Sequence, residues 1–191
     1  MKRRDLLLSI IAVCGERPDF GRTSLQKVAY FVGLTSGADL QHRAYYFGPF
    51  SEVVEREVQT LVISDLIQER IQPLGFVGAE GFEGRRYEYH LAAAGRERFD
   101  QLRVAYPEEV RALETFIGKL IQAAGGLDQK VLSTAAKTFF IAQREGRPLD
   151  AEEIKQLARQ LGWTVSHAQV ERVLRVLHDL EFMEPVPSSS N

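Results

Sequence analysis

Four glycines fall within residues 73–84, and that stretch separates two short strand-like runs, "LIQERIQ" at 66–72 and "RRYEYHL" at 85–91. The runs read as a hairpin and the glycine-rich stretch as its wide tip. What precedes the hairpin is helical. Leu6, Leu7, Ile10, Ile11 and Cys14 recur at helical spacing, and Gly15 with Pro18 beyond ends that helix. Thr23 and Gln26 have the spacing of a capping box, and Leu25, Val28, Ala29 and Val32 give a second helix its apolar face. "RAYYF" at 43–47 reads as a short extended segment. Pro49 then drives Gly48 out of the helical region and makes a corner. Ser51 suits an N-cap and Glu52 the positive end of a third helix, whose stripe is Val54, Val58, Leu61 and Val62. Three helices followed by a hairpin is the order of a winged helix-turn-helix, with the glycine-rich tip as the wing.

Residues from 106 onward read as wholly helical. Val110, Leu113, Phe116, Ile117, Leu120 and Ile121 form one stripe, and "KVLSTAAKTFFIAQR" is apolar enough to centre a second core. "LARQLGWTVSHAQVERVLRVLHDL" reads as helix, turn, helix, with Ser166 and Gln169 as a capping box. The expected fold class is therefore mostly α with a small β-hairpin. A winged-helix domain at 1–105 is followed by a helical domain with a helix-turn-helix at 106–184 and a disordered tail at 185–191.

Composition narrows the function classes. The net charge of −2 supplies no global basic field, so any nucleic-acid surface is local. A single cysteine, Cys14, excludes an internal disulfide and a cysteine-rich zinc site, and its apolar setting reads as buried packing. The apolar run "LLLSIIAVC" after "MKRRD" is too short to span a bilayer and lacks a cleavage pattern, so it reads as a buried helix of a cytoplasmic protein.

"SLQKVAYFVG" at 24–33, "YYFGPFSEVVEREVQTL" at 45–61 and "RRYEYHLAAAGRE" at 85–97 are together similar to the YwgA-type family of prokaryotic proteins. More remotely they resemble the Panacea domain found in some antitoxins. The shared marks are the helix start Leu25-Gln26-Lys27 and the corner Gly48-Pro49, within residues of about 5–100. The resemblance implies a winged-helix-like fold and transfers no catalytic residue. In the antitoxin case it implies binding to a protein toxin.

No enzyme motif stands out. "GAEGFEG" lacks the Lys-Ser/Thr of a phosphate loop, and His42, His90, His167 and His178 do not have a familiar metal spacing. No cofactor and no metal are expected. The third helix offers Glu52, Glu55, Arg56 and Gln59, with Glu57 nearby, which is the wrong sign for a phosphate backbone. The last helix is better suited to DNA. Gln169, Arg172 and Arg175 follow at steps of three away from its apolar stripe, and arginine and glutamine make bidentate contacts to bases. Arg159, and Arg85 and Arg86 at the wing, complete the expected DNA-binding set. The plainer reading is an amphipathic helix with basic residues towards its C-terminal end.

These residues read as a non-enzymatic DNA-binding transcription regulator, homodimeric through the apolar helix near 108–122, with duplex DNA as partner and no membrane. The alternative is a protein-binding adaptor or antitoxin-like module that uses Glu52, Glu55, Arg56 and Gln59.

Overall fold

The computed structural model describes residues 1–15, 17, 20–77 and 83–183. Among these, the order is α1 (Arg3–Cys14), α2 (Arg22–Ser36), α3 (Glu52–Ile63), β1 (Ile67–Val77), β2 (Glu83–Leu91), α4 (Ala93–Ala105), α5 (Pro107–Ala124), α6 (Gln129–Glu145), α7 (Ala151–Gln160) and α8 (His167–Asp179). The chain is mostly helical with one small antiparallel hairpin, paired from Ile67 with Leu91 to Pro73 with Arg85. The centre of the expected wing tip, 78–82, and the expected tail, 185–191, lie outside the described residues.

α1 is the hub. Leu6 to Ile11 and Cys14 are buried because α2, α3, α4, α5 and β2 all pack around this helix. No helix among the described residues is long and apolar enough to cross a membrane. Arg3 and Arg4 belong to α1 and pair with Asp39 and Glu57.

α6 is the second hub, packed against α2, α7 and α8. Phe139 lies with its ring centroid 6.5 Å from those of Tyr30 and Phe31 on α2 and 4.9 Å from that of Phe182 after α8. One apolar core thus runs from Leu7 and Phe31 through Ile117 and Leu132 to Leu177. It crosses residues 105–106, where the sequence suggested a domain boundary. A smaller cluster of Ile141, Ile154, Trp163 and Val170 fills the space among α6, α7 and α8. The apolar stripe of α5, the basis for an expected dimer contact, is taken up by this intramolecular core. Val110, Leu113, Ile117 and Leu120 are buried, and Arg111, Ala112, Thr115 and Lys119 face outward.

Local capping side chains act at four helices, with Asp128 accepting from Lys130 N and Val131 N at the start of α6. Ser51 Oγ accepts from Val54 N, and the capping boxes Asp150–Glu153 and Ser166–Gln169 both form. The box expected at Thr23–Gln26 does not form. α2 starts two residues earlier, with Gly21 as its N-cap, because Gly21 bridges to Glu88 on the hairpin. A Cβ at position 21 would stand 2.5 Å from the Tyr87 carbonyl oxygen, so only glycine permits that approach. The connection between α2 and α3 runs from Gly37 to Ser51, far beyond the tight turn of about 3–4 residues in a helix-turn-helix.

Candidate functional site

The α2–α3 connection carries the most unusual surface of the molecule. "RAYYFGPF" does not run extended. Arg43 and Phe50 exchange two backbone hydrogen bonds of 2.9 Å, and Gly48 N donates to the Tyr45 carbonyl at 3.0 Å. The stretch closes on itself, and Gly48 takes φ +100°, a region that suits glycine. Pro49 sets the exit towards Ser51 and α3.

Four side chains fix this loop from outside. Lys27 Nζ donates to the Pro49 carbonyl at 2.6 Å. The Gln26 amide is bidentate on Ser51: its nitrogen donates to the Ser51 carbonyl at 3.0 Å and its oxygen accepts from Ser51 N at 2.9 Å. Ser51 Oγ donates to the Leu40 carbonyl. On the far side Trp163 Nε1 donates to the Tyr45 carbonyl at 2.6 Å. The two sequence marks, Leu25-Gln26-Lys27 and Gly48-Pro49, are therefore the two halves of one clamp.

Burial gives the clamp unusual electrostatics. Desolvation, with Lys137 adding like-charge repulsion, pulls the Lys27 ammonium down to about 7. His42 Nε2 lies 3.2 Å from the Gln26 carbonyl, which can only accept, so this nitrogen carries a proton. Burial, opposed by that hydrogen bond and reinforced by Lys27, lowers His42 to about 4.

The clamp holds aromatic rings in solvent. Tyr45 is 46%, Tyr46 75% and Phe47 67% exposed. The Tyr45 ring meets Tyr46 edge-on at 4.9 Å and lies tilted against Phe50 at 5.1 Å. The loop forms one wall of a cleft of about 690 Å³, which α2, α3, β2 and the start of α6 complete.

The sequence-predicted residues divide between two places. Arg85 and Arg86 on β2 and Glu52 and Glu55 on α3 come together as lining of the cleft. Their charges are partly answered. Arg43 pairs with Glu52, Arg22 lies 3.9 Å from Glu55, and Arg86 lies 3.4 Å from Glu88. The acids of α3 are thus not a bare repulsive face, because their partners come from other elements. Arg56 points to solvent, and Gln59 sits in a shallow dent further along α3. Arg159, Gln169, Arg172 and Arg175 lie apart on α7 and α8, all exposed. Gln169 Oε1 accepts from Ser166 N at 2.8 Å, so that amide is committed to the cap. Sequence reasoning missed Lys27, Tyr45, Tyr46, Phe47 and Trp163 as parts of one surface. The aromatic run itself was the available signal: three large rings in a row beside a Gly-Pro turn have no helical or strand face to hide behind. No protein-family model and no curated protein matches this chain.

Proposed function

We propose that this protein is a binding module rather than an enzyme, and that it docks a partner protein on the clamped aromatic loop and the cleft beside it. The observation that carries this reading is the exposure of Tyr46 and Phe47 on a backbone tied at both ends. Rings left in water cost stability unless something covers them, and rigid aromatic anchors are the residues that dominate protein interfaces. Pre-ordering the loop removes part of the entropy that binding would otherwise cost. Glu52 and Glu55, the acids expected at a protein contact, stand at the same cleft. The resemblance to antitoxin-like domains points the same way.

The test is affinity capture of host proteins by the wild-type chain and by a Tyr46→Ser/Phe47→Ser variant with an unchanged circular dichroism spectrum. A protein retained by the wild type and absent from the variant is the expected result. Equal capture by both removes the loop from the reading.

A second reading, DNA binding, rests on α8. Arg172 and Arg175 are exposed and make no ion pair among the described residues. In that reading the chain is a winged-helix-like regulator whose reader is the α7–α8 pair rather than α3. The neighbours Glu171 and Asp179 dilute the positive charge of the helix, which is why this reading ranks second.

A further inference from the structure

We propose that Lys27 binds carbon dioxide covalently, as a carbamate whose negative charge Lys137 answers. Lys27 lines the cleft beside the aromatic loop, and that cleft of about 690 Å³ has room for the three added atoms. The site stands whether or not a partner protein docks on the loop.

Two lysines meet here without an acid. The point that a Cβ on Gly48 would occupy is 3.6 Å from Lys27 Cε and 3.5 Å from Lys137 Cε, so a single glycine separates the two stems. Among the described residues no carboxylate forms an ion pair with either lysine, and the Lys137 ammonium has the Trp163 ring, 5.8 Å from its centroid, for company. Lys27 is 2% exposed, and the Pro49 carbonyl accounts for one of the three hydrogens of its ammonium. A buried cation beside a like charge, with no counter-ion, is costly. Burial and Lys137 accordingly bring Lys27 down to about 7, so near neutral pH a large share of it is free amine with a lone pair. A desolvated amine of this kind is a nucleophile.

The bond to Pro49 selects the electrophile. A free amine keeps two hydrogens. Addition to carbon dioxide forms the N–C bond, moves one C=O electron pair onto oxygen and releases one of those hydrogens to water as a proton. The carbamate nitrogen keeps the other hydrogen, so the donation to the Pro49 carbonyl survives. An aldehyde fits this place less well. Its neutral imine has no N–H to donate, and its protonated imine leaves a positive charge beside Lys137. The carbamate keeps the donor and reverses the charge, which turns Lys137 from a repelling neighbour into a counter-ion. Carbon dioxide is also small and uncharged, which suits a nitrogen so nearly closed off from solvent. The clamp on the aromatic loop thereby changes its charge with the dissolved gas.

The experiment is chemical trapping on the full chain. The protein is equilibrated near neutral pH with isotope-labelled bicarbonate and carbon dioxide, then treated with triethyloxonium ion, which converts a carbamate into a stable ethyl carbamate. Peptide mass spectrometry locates the label. Lys27 should carry it at least tenfold above Lys119 and Lys130, which are exposed and serve as internal controls within the wild-type chain. Lys137→Met, with an unchanged circular dichroism spectrum, should lower the labelled fraction of Lys27 at least threefold. Labelling of Lys27 no higher than that of the exposed lysines overturns the proposal. Labelling that is selective for Lys27 but unchanged in Lys137→Met overturns the part given to Lys137.

Discussion

Lys27 and Pro49 meet across 22 residues of chain: the buried ammonium donates to the proline carbonyl at 2.6 Å and ties α2 to the corner before α3. A lysine is an expensive way to make one hydrogen bond, since burial opposes its charge. Its long stem carries the donor from α2 to that carbonyl.

That arrangement makes stability depend on pH with a definite sign. The folded ammonium titrates near 7, well below an unfolded lysine. Between about pH 7 and pH 10.4 the unfolded chain binds more protons, so this group makes the protein more stable as pH rises through that window. The rise should be on the order of 2–4 kcal/mol and should be missing in Lys27→Met. Urea unfolding of both proteins at pH 7 and pH 10 reads the difference. Parallel curves would mean that Lys27 is not held neutral. Amide exchange at Arg43 and Phe50 should also quicken in the variant, because the loop is then tied at one point fewer.

Gly48 stands at the tip of the same clamp. At φ +100° an alanine is strained, and its Cβ would lie 3.0 Å from Lys137 Cγ and 3.6 Å from Lys27 Cε. The lysine stems can shift, so the backbone dominates the cost. Gly48→Ala should destabilise by about 1–3 kcal/mol. Trp163, the chain's one tryptophan, reports on this loop through its bond to the Tyr45 carbonyl. Its emission should shift in the variant even under native conditions. Unchanged emission and stability would show that the turn tolerates a side chain.

His42 gives the opposite edge of the pH profile. Its folded value near 4 lies below that of an unfolded histidine, about 6.5. The stability present above pH 6.5 should therefore be lost as pH falls towards 4, by an amount on the order of 2–3 kcal/mol. His42→Gln keeps a donor for the Gln26 carbonyl and cannot titrate. Its thermal midpoint should fall less between pH 7 and pH 5 than that of the wild type. Equal falls would assign the acid sensitivity to the carboxylates.

What the sequence made legible was local. The caps at Ser51 and Ser166 were readable because donor and acceptor sit three residues apart. The hairpin and the helical stripes follow from periodicities of a few residues. What stayed hidden depends on partners from distant elements. Gln26 had capping-box spacing but is taken by Ser51, 25 residues away. The acids of α3 looked bare because Arg4, Arg22 and Arg43 belong to other segments. The apolar excess of α5 looked like a dimer face because the core that absorbs it is built from both halves of the chain.

Phe139 tests that continuity. It is 8% exposed and touches rings from α2 and from the end of α8. Phe139→Ala should cost about 3–5 kcal/mol and leave one cooperative transition, since the core it opens is shared by both halves. Two separated transitions in the variant, or a change near zero, would show that the halves do not depend on this ring.

The last prediction decides between the two functional readings. If α8 contacts duplex DNA, Arg172 and Arg175 are the cations free to meet phosphate, and Arg159 at the end of α7 is the next nearest in type and exposure. Removing one phosphate-binding cation should reduce the slope of log affinity against log salt by about 0.9. Arg172→Ala/Arg175→Ala should then lower the slope by roughly 2 and leave partner capture through the aromatic loop untouched. Tyr46→Ser/Phe47→Ser should do the reverse. Neither variant alters Trp163, whose indole donates to the Tyr45 carbonyl from the turn before α8, so the two variants act independently unless DNA and partner binding are coupled. A salt titration on upstream genomic duplexes, run with both variants, separates the cases. An absence of wild-type binding at low salt, about 50 mM, removes the DNA reading. DNA binding that survives the arginine changes but fails in the loop variant would place the nucleic-acid surface at the cleft, on Arg85 and Arg86.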